Sequence, residues 1–390
     1  MAGLTAALTL ARAGMRVTVF EQAEKLEETG AGLQLSPNAS RILIALGLRE
    51  RLAADVVAPR AIRVMAGGSG REIVRIPLGD EVERRYGAPY WSIHRGDLQS
   101  ALADAAQDEL DVTLKFGVRI EDFAAHVKGV SVVGRRGGQV VDERGIALIG
   151  ADGIWSNVAT RLRGQSIMPT FRHRTAWRAL IPAEAAPQEF RAPLVHLWLG
   201  QEAHLVHYPV KAGRLINIVG IIHDEWDETG WSAAGDRSEI LRHFARWAWS
   251  EAVRAFVAIP ERWLKWALYD RGAPFRGSKV PVTLIGDAAH PMLPFLAQGA
   301  GMAIEDAAVL ADMLGKYLDD PSDALRAYEG ARWHRTFRAQ QFSRRQGRIY
   351  GLSGPEALIR NLAMRAMGGE KLRSRYDWLY SWRPPQRFSA

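Results

Sequence analysis

The chain has 390 residues, 47% apolar and 24% charged, a composition that fits two domains or one large α/β domain carrying an inserted module. It contains no cysteine, which excludes disulfides and thiolate metal sites and fits a reducing cytoplasm, and no apolar run approaches the ~18 residues of a membrane span. The net charge of +8 leaves nucleic acid, an anionic membrane surface or an anionic small ligand open, but the densest basic run, Arg332 to Arg348, has the spacing of a solvated helix rather than of a nucleic-acid patch.

The opening "MAGLTAALTLARAGMRVTVFEQ" has no basic residue ahead of its apolar run, so it is not a secretion signal. Leu4, Ala7, Leu8, Leu10 and Ala11 have the spacing of a buried helix, Gly14 stops it, and "RVTVF" follows as a strand ending at Glu21. Glycine, helix, turn, strand and acid in that order fit the second half of a dinucleotide-binding βαβ unit, an order that many other α/β proteins share. Gly3 fits the last glycine of G-x-G-x-x-G, and Glu21 fits the acid that binds the adenosine ribose. The first strand and the two leading glycines would lie before Met1, so Met1 is expected not to be the natural start, with about thirteen or fewer residues encoded upstream.

Further along, "LSPNASRILIALGL" reads as a capped helix, "AIRVM" and "REIVRIP" as a strand pair around Gly67-Gly68, and "HRGDLQSALADAAQ" as a second helix. "VTLKFG", "GVSVV", "QVVDE" and "IALIGADG" are strands, and residues 173–221 are rich in strand signals. A helix is expected over about 237–250, a strand at "LKWALYD", and mostly helix from Gly301 on. The predicted architecture is an α/β nucleotide-binding domain over 1–164 and 276–330, a strand-rich substrate domain over 165–275, and a helical segment over 331–390.

The sharpest signal is "TLIGDAAHPMLPFLAQGAGMAIEDAAVLADML", from Thr283 to Leu314. A buried strand ends at Gly286-Asp287, a proline-rich loop crosses to Gln298, and a long helix starts at Gly299-Ala300-Gly301. An acid at a strand's carboxyl end and a glycine-rich helix start both mark where α/β folds bind anionic ligands. His290 has no second ligand at metal spacing, so no metal is expected.

Here the sequence resembles the single-component FAD-dependent aromatic hydroxylases of the salicylate hydroxylase and 3-hydroxybenzoate hydroxylase type. "GDAAHPMLPFLAQGAGMAIEDA" is similar to the family's GD motif, "GADGIWSNV" to its DG motif and "HRGDL" to its H-R-x-D-L segment. "GAGLQLSPNA" and the closing "YDWLYSW" match as well, so the resemblance spans nearly the whole chain. It implies a Rossmann-like FAD-binding domain of the p-hydroxybenzoate hydroxylase type. Two departures stand out: Ala159 occupies the place of an arginine three residues after the DG-motif Ser156, with Arg161 the nearest basic residue, and the first strand is missing.

The resemblance implies that Gly3 and Glu21 hold the adenosine end of FAD and Arg95 runs along the pyrophosphate and ribitol. Asp287 would bind the ribitol, and the amides of Gly299, Ala300, Gly301 and Met302 would face the pyrimidine end of the flavin. Asp152 and Gly153 would lie near the pyrophosphate and the approach of NADH or NADPH. The implied reaction hydroxylates a small aromatic acid through a flavin hydroperoxide, using NAD(P)H and O₂. His207 is the expected base and Gln298 the expected contact to the substrate hydroxyl or carboxylate, with Tyr208 and His204 as alternates. Tyr208, Pro294 and Phe295 are expected to line the substrate pocket; Trp177 and Trp198 are expected in the core. A larger ring (quinone precursor, polyketide, N-heterocycle) and a degenerate flavin-binding protein without turnover are the alternative readings. No nucleic-acid partner and no integral membrane segment are expected; a homodimer in the cytoplasm is compatible with the chain.

Overall fold

The computed structural model describes residues 1–26, 31–164, 168–226, 233–246, 248–317 and 319–388. Gly30 and the first residues of the expected substrate domain, 165–167, lie outside them, as does residue 247 within the expected 237–250 helix.

The opening helix, Ala2–Arg12, buries every residue from Leu4 to Ala11. It packs on the long helix Gly299–Lys316, where the Thr9 hydroxyl donates to the Ala307 carbonyl at 3.0 Å. Gly286 sits at this junction with φ of 60°; a Cβ there would lie 3.1 Å from the Ala2 Cβ and 3.2 Å from the Ala303 Cβ, so only glycine admits both the backbone and the close approach.

Two parallel strand pairs flank the opening helix. Val17–Glu21 pairs with Val112–Phe116, and Leu148–Gly150 pairs with Val282–Leu284. A cavity of about 880 Å³ lies between Val17–Glu21 and Leu148–Gly150, and no strand among the described residues fills it.

The largest sheet has eight strands, in the order 233–235, 263–270, 170–182, 215–223, 203–210, 195–199, 61–66 and 72–77. Its last two strands are the pair read around Gly67-Gly68, so the strand-rich sheet recruits residues from within 1–164. One face is buried under helices Arg237–Arg246 and Glu251–Val257, with Trp177, Trp198, Phe244, Phe256 and Trp263 in a shared core; Trp177 and Trp198 are therefore core residues. The other face opens onto a cavity roofed by helices Pro321–Tyr350 and Gly354–Ser374. This alternation of two buried faces explains why the strands read as near-continuous apolar runs.

Helix Pro321–Tyr350 departs from the solvated reading of its arginines. Arg332 is buried and donates to Glu305 at 2.7 Å and to Asp306 at 2.7 Å, and Arg335 reaches Glu305 at 2.6 Å. Asp306 also accepts from the Gly286 amide at 2.9 Å and lies 2.5 Å from His290. Burial pushes its carboxyl up, but His290, Arg332 and the amide outweigh that and hold it at about 2. Removing one partner from such a buried cluster costs about 3–5 kcal/mol, so these charges lock the Gly286–His290 turn to two helices.

Candidate active site

The cavity beneath the eight-stranded sheet encloses about 920 Å³. One wall is the turn and loop Gly286–Gln298 with the start of helix Gly299–Lys316. Asp287, Pro294, Phe295, Gln298, Gly299 and Ala300, all singled out in the sequence, line it. Asp287 has no hydrogen-bond partner among the described residues. Water can reach its carboxylate, yet protein surrounds it, because it projects into a concave site. Burial raises its pKa, with His290 and Arg95 opposing.

At the helix start, the amides of Gly299, Ala300 and Gly301 precede the first intrahelical bond and have no backbone acceptor. Gly299 and Ala300 face the cavity. Met302 does not: its side chain is buried and its amide donates to the Gln298 carbonyl at 2.8 Å. Gly301 also lies behind the wall, where a Cβ would come 2.9 Å from Gln298 Oε1.

Gln298 lines the cavity, but both ends of its amide are engaged. Its Nε2 donates to Ser36 Oγ at 2.8 Å and its Oε1 accepts from Asn38 Nδ2 at 3.1 Å. Asn38 continues to Glu305 at 2.7 Å. Gln298 thus ties the helix start to the "LSPNA" segment while one N–H and one lone pair of its amide stay uncommitted among the described residues. Ala297, held at φ of 52°, makes the sharp entry into this helix.

Arg95 starts its helix and lines both cavities, as do Ala151 and Gly153, so the two cavities meet there. The second cavity is lined by Gly3, Glu21 and Asp152. A Cβ placed on Gly3 would come 3.5 Å from Ala151 Cβ, an ordinary contact, so packing at this point does not by itself require glycine. Glu21 Oε1 accepts from the Ala23 amide at 3.0 Å. Asp152 has local work: its oxygens accept from the Ser156 hydroxyl at 2.5 Å and the Val158 amide at 3.1 Å, capping helix Asn157–Arg163. Arg161 pairs with Asp122 at 3.5 Å.

The sheet supplies the opposite wall. His204, Val206 and Tyr208 of strand Ala203–Val210 face the cavity, whereas Leu205 and His207 face the other way. His207, expected as the base, is fully buried on the far face. It stacks on His196 at 4.4 Å and packs against Phe190 and Phe256 at 4.9 and 4.8 Å. Strand alternation puts it out of reach of the cavity.

His204 lines the cavity instead, with its ring against Phe295 and Tyr350 at 5.4 and 5.1 Å. Burial, reinforced by Arg174, lowers its pKa to about 3, so it is neutral at pH 7. The Tyr208 hydroxyl lies beside the Gln34 amide, which also accepts from Tyr90 at 2.6 Å, and burial raises its pKa to about 12. Gln34, Tyr90, Trp266 and Arg178 complete this wall without having been singled out in the sequence. For Arg178 the signal was there: a cation inside the apolar run "TAWRALIP".

The arrangement fits an extended dinucleotide. An unpaired carboxylate and free helix amides stand at one end, a cation where the cavities join, and Glu21 in the second cavity. The described residues contain no cluster of three or more side chains able to hold a metal ion.

Residues 1–343 match the FAD binding domain family. The 3-hydroxybenzoate 6-hydroxylase 1 of Aquipseudomonas alcaligenes is 36% identical over 97% of this chain and 94% of its own length. The 3-amino-4-hydroxybenzoate 2-monooxygenase PtmB3 of Streptomyces platensis is 36% identical over 98% of the chain and 94% of its own. A salicylate hydroxylase solved with substrate superposes with a TM-score of 0.79 at 25% identity, over 98% of this chain and 93% of that one.

Proposed function

From the premise that the chain belongs to the FAD binding domain family, we propose that it hydroxylates a hydroxybenzoate-like aromatic acid within the 920 Å³ cavity. It is an FAD-dependent aromatic-ring monooxygenase, with NAD(P)H as reductant and O₂ as co-substrate. The observation that carries the substrate reading is the pairing of walls. A cofactor wall of free amides and an unpaired carboxylate faces a sheet wall bearing His204 and Tyr208.

When bound, the flavin supplies the redox chemistry, accepting a hydride from NAD(P)H and activating dioxygen toward the ring. The chain's own residues bind and prepare the reactants. The amides of Gly299 and Ala300, at a helix N-terminus, favour negative charge on whatever they face, by about 0.3–1 kcal/mol. Asp287 would accept hydrogen bonds from hydroxyls of the cofactor, and Arg95 would neutralise its phosphates.

His204 handles the substrate phenol. A full proton transfer from a phenol of pKa ~10 to an imidazole near 3 costs about 9 kcal/mol, so His204 acts first as a hydrogen-bond acceptor that polarises the O–H. Oxygen transfer to the ring would draw electron density from the phenol oxygen, acidify its O–H and let the proton follow to the imidazole. Pro294, Phe295 and Leu293, with the apolar sheet residues, exclude water around that centre.

No helix among the described residues is long and apolar enough to cross a membrane, and the cysteine-free composition supports a cytoplasmic enzyme. The test is a panel of hydroxybenzoates, their amides and larger bicyclic phenols, scored by NAD(P)H oxidation and product mass. The reading expects a monohydroxylated product from at least one monocyclic acid. Turnover confined to the bicyclic phenols would overturn it.

A further inference from the structure

One cation on the sheet wall has no task in the scheme above. Arg178 lies on the cavity face of strand Thr170–Pro182, opposite Val219 on one neighbouring strand and Leu264 on the other. Its guanidinium stands over the Trp266 ring, 5.0 Å from the centroid. Among the described residues no carboxylate or carbonyl pairs with it, and its Nε is buried without an acceptor. Its electrostatic neighbours are Tyr208 and Arg95, neither of them an acid.

The other arginines at this cavity are differently placed. Arg360 donates to the carbonyls of Ile349 and Tyr350, Arg373 pairs with Glu81 at 2.5 Å, and Arg345 is exposed at the rim. A half-buried guanidinium without a counter-ion is costly unless a ligand supplies one, and burial accordingly lowers the Arg178 pKa. An indole beneath a guanidinium fixes its plane and leaves its edge donors aimed at the cavity, the arrangement that grips a carboxylate through two bonds.

Position completes the case. Arg178 is two strands away from His204, with two residues of offset along the sheet. Strand spacings put their Cα atoms about 12 Å apart. That span leaves room for one substituted ring between the strand positions of His204 and Arg178.

We propose that Arg178 is the substrate-carboxylate anchor and sets the preference for aromatic acids over neutral phenols. The inference rests on the aromatic-acid reading above and adds the residue that enforces it. The probes are 3-hydroxybenzoate, benzoate and the neutral isostere 3-hydroxybenzamide, titrated into FAD-loaded enzyme and followed by the flavin absorbance.

In Arg178→Met the two acids should bind on the order of 30-fold more weakly, while the amide changes less than about threefold and FAD affinity holds. Arg178→Lys should restore part of the acid affinity and none of the amide's. Equal losses for acid and amide, or loss of FAD from Arg178→Met, would overturn the assignment, the latter by making Arg178 a cofactor residue. Wild-type enzyme that binds the amide but neither acid would defeat the aromatic-acid reading itself, and the anchor with it.

Discussion

His204 and His207 sit three residues apart on one strand, both buried, and in both burial pushes the imidazole pKa down. They nevertheless belong to different halves of the molecule. His204 looks into the cavity with Arg178 and Tyr208; buried ring nitrogens without a partner occur on both histidines, so they do not set the two apart. His207 is sandwiched among His196, Phe190 and Phe256 on the face that the 237–246 and 251–257 helices close. Residue type, burial and shifted titration are the same on both faces. Direction alone separates a ligand contact from a packing element, and a depressed histidine pKa is thus no sign of catalysis by itself.

Four substitutions can break or sharpen that contrast. The largest effect is expected from His207→Ala, which opens a void in the far core and should cost about 2–4 kcal/mol of stability in a denaturant titration. Product formed per NAD(P)H oxidised should stay at the wild-type value; a fall in that ratio would return His207 to the chemistry.

His204→Ala should do the reverse. Hydroxylation is expected to drop on the order of 100-fold, with NAD(P)H consumption continuing and hydrogen peroxide released. An unchanged product yield would remove His204 from the site.

The pH dependence of stability is the third test. His196 and His204 titrate at about 4 and about 3 in the fold, and His207 well below its ordinary value, against about 6.5 unfolded. Between pH 6.5 and 4 the unfolded chain therefore binds more protons, and stability falls as pH drops, by about 1.4 kcal/mol per pH unit for each such histidine. His207→Phe should flatten that slope by about one histidine's share. An identical slope would mean that His207 is not held neutral.

The smallest effect belongs to Tyr208→Phe. Losing one hydroxyl beside Gln34 should weaken aromatic-acid binding about fivefold, roughly 1 kcal/mol, without altering FAD affinity. A change beyond tenfold would assign Tyr208 a larger share than a single hydrogen bond.

Much of the loop-and-helix wall of the cavity was legible in the sequence, because its parts are local. Strand end, Asp287, proline loop and the glycines before Met302 follow one another within Thr283–Leu314, and backbone rules fix their order in space. The helix Ala2–Arg12 and the strand Val17–Glu21 were equally plain from spacing.

The sheet wall was not, since it is assembled from distant pairings. Alternation in "HLVHYP" shows that His204 and Tyr208 share a face and that His207 does not. It does not say which face meets the cavity; that is decided by the helices Arg237–Arg246 and Glu251–Val257 covering the other side. The joining of Ala61–Ala66 to Val195–Leu199 is likewise invisible locally. So is the engagement of Gln298 by Ser36 and Asn38, more than 250 residues away.

The most direct measurement is the fate of dioxygen. Wild-type enzyme loaded with FAD should be given NAD(P)H, 3-hydroxybenzoate and isotopically labelled O₂, and the product weighed by mass spectrometry. A monooxygenase working in the cavity between Asp287 and His204 places one labelled oxygen on the aromatic ring for each NAD(P)H oxidised. NAD(P)H consumption that yields only labelled peroxide from this acid and from every other hydroxybenzoate would contradict it.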